Sequence, residues 1–116
     1  MNRQIRNDRV DDLFDRALPV IHSALVSHYR LSEKEAQEAE QNLSTWFHRF
    51  VRRSGLSQVS ARSLTLSLLV AACQYARSYQ TWKYANGPTN DALRRALARE
   101  PGEVASELAE HLEETS

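Results

Sequence analysis

Residues 32–55, SEKEAQEAEQNLSTWFHRFVRRSG, carry the clearest start and stop signals for a helix in this 116-residue chain. Ser32 followed by Glu35 forms a capping box, in which each side chain satisfies a backbone N–H of the other residue. Gly55 follows two arginines and supplies a left-handed terminus, with cations at the negative end of the helix dipole. The predicted buried stripe recurs at helical spacing: Ala36, Ala39, Leu43, Trp46, Phe47, Phe50 and Val51.

Helical spacing also runs through the residues before this segment. Apolar residues recur at three- and four-residue steps between residues 10 and 29, which predicts an amphipathic helix there. Pro19 lies inside this stretch, and a proline removes one backbone hydrogen bond and crowds the preceding turn. We therefore expect a break or a kink near Leu18.

A third helix is expected from near Ser60 to the termination pair Gly87-Pro88. Its first half is apolar nearly all the way round, so neighbouring helices should cover most of it. From Gln74 onward the residues become polar and aromatic, which predicts an exposed surface at that end.

Two short helices are expected after this pair. Thr89 or Asn90 can cap the first of them, over residues 91–99. Pro101 suits the first position of the second helix, whose packing stripe is Val104, Leu108 and Leu112.

The fold class predicted from these patterns is all-α, since no alternation typical of β-strands occurs. The composition, 41% apolar with three glycines and three prolines, suits one domain with a single core. We expect residues 1–116 to form a compact bundle of four to five helices. Residues 89–116 contribute the short C-terminal helices and an acidic tail.

Charge is sorted along the chain although its sum is zero. Residues 1–40 carry a net charge of −2, residues 41–99 carry +8 and residues 100–116 carry −6. Aromatic residues are interleaved with the central bases, a combination suited to phosphate contact and base stacking. Because the acidic end follows the basic block, we expect the last helix to fold over the arginines and compete with phosphates.

No pattern typical of an enzyme or a metal site is found. The four histidines stand singly, and no glycine-rich phosphate loop or serine with an adjacent base occurs. Cys73 lies among apolar residues and is interpreted as core packing. The glutamates at the start of the second helix spread around it, which indicates a solvated helix start: Glu33, Glu35, Glu38 and Glu40. We expect neither catalysis nor a cofactor.

Targeting and membrane signals are also missing from the pattern. The arginine-rich first ten residues lead into no apolar run, and the longest apolar stretch is far shorter than the ~20 residues of a membrane helix. The sequence therefore predicts a cytoplasmic protein without a membrane partner.

Two stretches carry a resemblance to a known family. Residues 68–77 read LLVAACQYAR, and residues 31–53 contain Ala36, Glu38 and Gln41 followed by Trp46, Phe47, Arg49 and Phe50. An acid, a glutamine three residues later, and then aromatic and basic residues resemble region 2 of bacterial sigma factors, especially the extracytoplasmic-function type. The next helix, apolar and then polar, is similar to the one that meets promoter DNA. The resemblance covers residues 19–84, as a stand-alone or degenerate region 2.

The resemblance implies a transcription-associated module that binds RNA polymerase, single-stranded promoter DNA or both. Polymerase contact would fall to Glu38, Gln41, His48 and Arg52. Contact with the opened promoter would fall to Arg62, Gln74, Arg77, Tyr79, Trp82 and Lys83. The physical basis is that aromatic rings stack on unpaired bases while Arg and Lys neutralise phosphates. By contrast, we interpret three aromatic residues of the second helix as core: Trp46, Phe47 and Phe50.

A second function stays open from the sequence. The chain would then be a small helical protein-interaction module or regulator, which binds a regulatory protein and no DNA. The acidic tail favours this alternative, as does the lack of a second DNA-reading domain after residue 84.

Overall fold

The computed structural model describes the backbone of residues 2–54, 60–85 and 90–115, and the side chains of residues 10–53, 60–85 and 90–112. Its elements are α1 (Asn2–Ser23), a π-helical turn (Ala24–His28), α2 (Glu33–Ser54), α3 (Ala61–Lys83), α4 (Asp91–Ala98) and α5 (Pro101–Thr115). The described backbone contains no strand, so the predicted all-α bundle is confirmed. None of the described helices has both the length and the apolar character needed to cross a bilayer.

Side-chain caps start the helices where the sequence predicts. Ser32 Oγ accepts from the N–H of Glu35 at 3.1 Å, and Glu35 Oε1 accepts from the N–H of Ser32 at 2.9 Å. Ser60 caps α3, Asn90 caps α4 and Pro101 opens α5. The other predicted end signals lie outside the described residues: Gly55, Gly87, Pro88 and Thr89.

Of the break or kink predicted near Leu18, the break is wrong, because α1 runs on through Pro19 to Ser23 as one helix. Pro19 lies on the exposed side of the helix. There, solvent can hydrogen-bond to the carbonyl that the proline leaves without a donor, which lowers the cost of the missing bond.

An irregular, wider turn begins at Ala24, six residues after Leu18. The Tyr29 N–H donates to the Ala24 carbonyl at 3.1 Å, one residue further back than in an α-helix. Arg30 then adopts the left-handed region at φ 62°, and the N–H of Leu31 reaches the Leu25 carbonyl at 2.9 Å. This ending turns the chain from α1 into α2.

The core lies among α1, α2 and α3, and α5 packs on α3. Phe14 of α1 and Phe47 of α2 meet with ring centroids 6.1 Å apart. Val104 and Ala105 bury the inner side of α5 in the same cluster. The predicted core stripe of α2 is wrong at Trp46, whose side chain is 39% exposed.

Two buried side chains tie α3 to the core. Gln80 is fully buried, and its Nε2 donates to the Tyr29 carbonyl at 2.6 Å. Cys73 is buried as predicted, and burial raises the pKa of its thiol to about 11. A protonated thiol in this place packs as a small apolar group.

Candidate interaction surfaces

Three of the four residues predicted to bind polymerase share one exposed face of α2. Glu38, Gln41 and Arg52 are all exposed, and their spacing places them on one side of the helix over about 20 Å. Within the described residues, Glu38 and Arg52 form no ion pair. This α2 outer face presents an acid, an amide and a base to solvent, which suits a polar docking contact.

His48, the fourth of these residues, lies at the edge of the α2 outer face and joins α2 to α1. Its Nε2 lies 2.6 Å from a carboxylate oxygen of Asp11, and its Nδ1 lies 2.7 Å from the Ser44 carbonyl. Both ring nitrogens face acceptors, which suits the imidazolium form, and the hydrogen bond to Asp11 raises the pKa of His48. His48 is therefore a link between helices, with 36% of its side chain exposed to a partner.

The residues predicted to contact single-stranded DNA lie in three places. Arg62 is exposed in the first turn of α3. Arg77 faces the joint between α4 and α5, where its Nε donates to the Leu97 carbonyl at 3.0 Å and its Nη1 lies 3.8 Å from Glu100. The other four lie in the C-terminal half of α3: Gln74, Tyr79, Trp82 and Lys83. The structure does not bring the six residues together.

An open groove of about 690 Å³, the α2–α3 groove, runs between these two helices. Trp82 is 74% exposed at one end of its α3 wall. Trp46 stacks on Phe50 with ring centroids 5.1 Å apart, and Tyr75 stacks on Tyr79 at 6.5 Å. The lining contains no charged side chain: Asn42, Leu43, Trp46, Ala71, Gln74, Tyr75, Ser78, Tyr79 and Trp82.

Glu35 binds two of the predicted DNA-contact residues at one end of the groove. Its Oε2 accepts from the Tyr79 hydroxyl at 2.5 Å and from Lys83 Nζ at 3.0 Å. Partial burial favours the protonated acid, but the backbone N–H of Ser32 and these two donors outweigh it and lower the pKa of Glu35 to about 2. The interpretation of Glu35 as a solvated residue is therefore wrong. Tyr79 and Lys83 are engaged within the chain.

Two other glutamates of the same run converge on His22 of α1. His22 Nδ1 lies 2.7 Å from Glu40 Oε1, and its Nε2 lies 3.0 Å from Glu33 Oε2. The hydrogen bond to Glu40 raises the pKa of His22. Glu40, with a side chain only 15% exposed, is a helix-to-helix contact and not the solvated residue that its spacing predicts.

The acidic C-terminal helix engages arginines near its own start. Arg99 Nη2 lies 3.0 Å from Glu103 Oε1 and 2.5 Å from Glu107 Oε1. Through Glu100, the same end of the chain reaches Arg77. Within the described side chains, no ion pair joins α5 to the arginines of α2: Arg49, Arg52 and Arg53. Among the described side chains, the ion pairs that correspond to the expected fold-over are those of Arg77 and Arg99.

Sequence reasoning missed three residues that line the groove. Asn42 and Trp46 are four residues apart on α2, and Ser78 lies opposite on α3. The Asn42 amide also donates to the Tyr75 hydroxyl at 3.2 Å. Asn42, one helical turn before Trp46, is the sequence signal that could have indicated a groove here. It is ambiguous because Trp46 also fits the predicted core stripe of α2.

Across the part of the chain that the structure describes, no group of three side chains is arranged to hold a metal ion. Among the described side chains, His28 Nε2 and Gln80 Oε1 are buried without a hydrogen-bond partner, whereas the buried Tyr29 hydroxyl has the Cys73 thiol as its neighbour.

Comparison with known proteins finds no matching family model, no similar curated protein and no similar solved structure. The likeness to sigma region 2 therefore depends on the residues of α2 and α3 themselves.

Proposed function

We propose that this chain is a sigma region 2-like binding module that docks on RNA polymerase through the α2 outer face. The observation that carries the proposal is the shared exposure of Glu38, Gln41 and Arg52 on one face. These are three of the positions through which the resemblance implies contact with the polymerase clamp.

The chemistry of the α2 outer face suits recognition of a charged helical surface. An exposed acid and an exposed base about 20 Å apart fix the register of a partner with opposite charges, and the amide between them supplies hydrogen bonds. Contacts of this kind contribute more to orientation and association rate than to affinity.

Single-stranded DNA binding is the second part of the proposal and has narrower support. Trp82 is exposed and can stack on an unpaired base, which contributes ~1–3 kcal/mol. Gln74 is also exposed and lines the same groove about two helical turns earlier. The nearby cations Arg77 and Lys83 are paired within the chain, so we expect weak DNA binding by the isolated protein.

A protein-interaction module without DNA binding is the second candidate function. The engagement of Arg77, Tyr79 and Lys83 by other residues of the chain favours it, because it leaves the aromatic surface poor in free cations.

Biolayer interferometry of the full chain against purified RNA polymerase core tests the first candidate. We expect saturable binding, weakened about five- to tenfold by Glu38→Lys combined with Gln41→Ala. Arg16→Ala, an exposed change on α1, is the control and should leave binding unchanged. Absence of polymerase binding by the wild-type chain would contradict the proposal.

A labelled single-stranded DNA of 12 nucleotides, added to the same complex, separates the two candidates. An increase in anisotropy that Trp82→Ala abolishes supports the DNA-binding part. Polymerase binding without any DNA signal favours the protein-interaction module.

A further inference from the structure

The α2–α3 groove has the shape of a site for one more helix. Its α3 wall runs from Ala71 to Trp82, about 16 Å along the helix. Both walls are helices whose backbone groups are hydrogen-bonded internally, so the groove offers no strand edge for an extended peptide. The apolar side chains of an amphipathic helix can instead enter between two helices, as in ordinary helix packing.

The lining favours apolar side chains over phosphates. None of the lining residues is charged, and four of the nine are aromatic, three of them on α3. The nearest cation at the Tyr79 end is Lys83, which Glu35 already holds at 3.0 Å. A nucleic-acid backbone would therefore find little positive charge inside the groove, whereas leucine-sized side chains would find stacked rings.

Positive charge at the Trp46 end of the groove indicates which charge a bound helix would carry. Arg49 and Arg53 follow Trp46 by three and seven residues, so they continue the groove side of α2. Both are exposed, and within the described residues neither forms an ion pair. From residue 41 to residue 83 the chain has six bases and no acid. This rim is complementary to acidic side chains.

We propose that the α2–α3 groove binds an acidic amphipathic helix of a partner protein. Apolar residues at positions i, i+3 or i+4, and i+7 of that helix enter between the rings, and its acidic flank lies along Arg49 and Arg53. The site is separate from the α2 outer face, so the inference goes beyond polymerase docking. It shares Gln74 and Trp82 with the proposed DNA contact, and the experiment below decides between the two ligands.

The chain provides its own reporter for this site, because it contains two tryptophans and both line the groove. The probe is a 16-residue tryptophan-free helical peptide with leucines at those positions and glutamates on the flanks. A second peptide has lysine at every glutamate position. We expect the glutamate peptide to shift the tryptophan emission of the full chain to shorter wavelength, and the lysine peptide to bind at least tenfold more weakly.

Variants locate the binding. Arg49→Ala with Arg53→Ala should weaken the glutamate peptide about three- to tenfold, the effect of losing two exposed charge contacts. Arg16→Ala with Arg95→Ala removes two exposed arginines elsewhere and should have no effect. Ser78→Glu places bulk and negative charge in the groove and should abolish the shift while leaving polymerase binding intact. Circular dichroism checks that each variant is folded.

Equal binding of the two peptides would overturn the proposal, and so would no response to the glutamate peptide. A response to a 12-nucleotide oligothymidylate without any response to the glutamate peptide would assign the groove to nucleic acid, in agreement with the DNA-binding part of the proposed function, and would overturn this inference. The proposed polymerase docking would stand in each case, because its own test uses variants of the α2 outer face.

Discussion

Glu35 connects local and tertiary structure through one carboxylate. One oxygen accepts from the Ser32 N–H and caps α2, and the other accepts from Tyr79 and Lys83 of α3. The capping role follows from a three-residue spacing and is predictable from the sequence. The contacts with α3 connect Glu35 to residues that lie 44 and 48 positions later in the chain. Only the packing of α2 against α3 creates them.

The low pKa of Glu35 predicts acid sensitivity of a defined sign. The folded value of about 2 lies below the usual 4.5, so the charged form stabilises the fold. This stabilisation is complete above pH 4.5 and is lost as the pH falls towards 2. We expect Glu35→Gln to lower the free energy of unfolding by roughly 1 kcal/mol at pH 7 and to flatten its pH dependence between pH 2 and 4.5. Urea unfolding across this range measures both effects.

Glu38→Gln, an exposed change on the same helix, is the matched control for Glu35→Gln. It should leave the acid limb of the stability curve as it is in the wild type. An unchanged slope in Glu35→Gln itself would contradict the assigned role.

Gln80 is the fully buried polar residue of the core, and its amide holds the carbonyl of Tyr29. Replacing it by alanine leaves that carbonyl without its donor and removes side-chain volume. We expect Gln80→Ala to cost about 2–4 kcal/mol, as for a lost buried hydrogen bond together with a small cavity. Chemical denaturation measures the loss, and Gln74→Ala, an exposed glutamine of the same helix, should change stability by less than about 0.5 kcal/mol. A small loss of stability in Gln80→Ala would mean that the end of the π-helical turn at Tyr29 does not depend on this hydrogen bond.

At the scale of elements, two histidines join α1 to α2. His22 contacts Glu33 and Glu40, and His48 contacts Asp11 and the Ser44 carbonyl. A sequence pattern does not reveal such pairs, because each histidine stands alone in the chain and its partners lie on a different helix. The helix starts, in contrast, depend on residues three positions apart, so the sequence predicts them.

These contacts predict that the α1–α2 interface weakens in alkali. Both histidines have a pKa raised above 6.5 by carboxylate partners, so their stabilisation is complete below pH 6.5 and is lost as the pH rises through the folded values. Burial lowers the pKa of His28, so the contribution of His28 to stability changes with pH in the opposite direction. The measured quantity is therefore the difference in unfolding free energy between wild type and variant. We expect His22→Gln with His48→Gln to destabilise by about 1–2 kcal/mol at pH 5.5 and by less at pH 8.5.

The control for this pair is Gln37→Ala, an exposed change on α2 that removes no titratable group. It should change stability equally little at the two pH values. A double variant whose loss of stability is the same at pH 5.5 and 8.5 would contradict the charged form of these contacts.

The course of α1 shows why the sequence misplaces an irregularity. Pro19 is the proline inside α1, but the π-helical turn begins at Ala24. No proline or glycine there signals an irregular turn. Tyr29, at the end of this turn, and Leu31, just after it, are both buried. The turn thus coincides with tertiary packing, which a local sequence pattern does not contain.

At the scale of the whole molecule, the acidic end of the chain is first a structural element. The predicted all-α bundle and the stripe of the last helix are confirmed, since Val104 is buried and Leu108 and Leu112 are half-buried. Charge alone could not indicate which arginines the tail meets. The packing of α5 on α3 brings the start of this helix to Arg77 and Arg99, away from the arginines of α2.

This packing predicts that removing residues 100–116 destabilises the protein instead of unmasking a binding site. The deletion exposes the apolar cluster in which Val104 and Ala105 are buried where α5 packs on α3, and burial of a side chain of valine size contributes ~1.5–3 kcal/mol. We expect a loss of about 3–5 kcal/mol, a large part of the 5–15 kcal/mol typical of a domain, and a Tm lower by more than about 10 °C. Circular dichroism during heating measures it. The triple change Glu100→Gln, Glu103→Gln and Glu107→Gln keeps the apolar contacts and should cost less than about 1 kcal/mol. If the truncated chain melted like the wild type, neither the apolar contacts nor the carboxylates of α5 would stabilise the bundle, and the assigned structural role would be wrong.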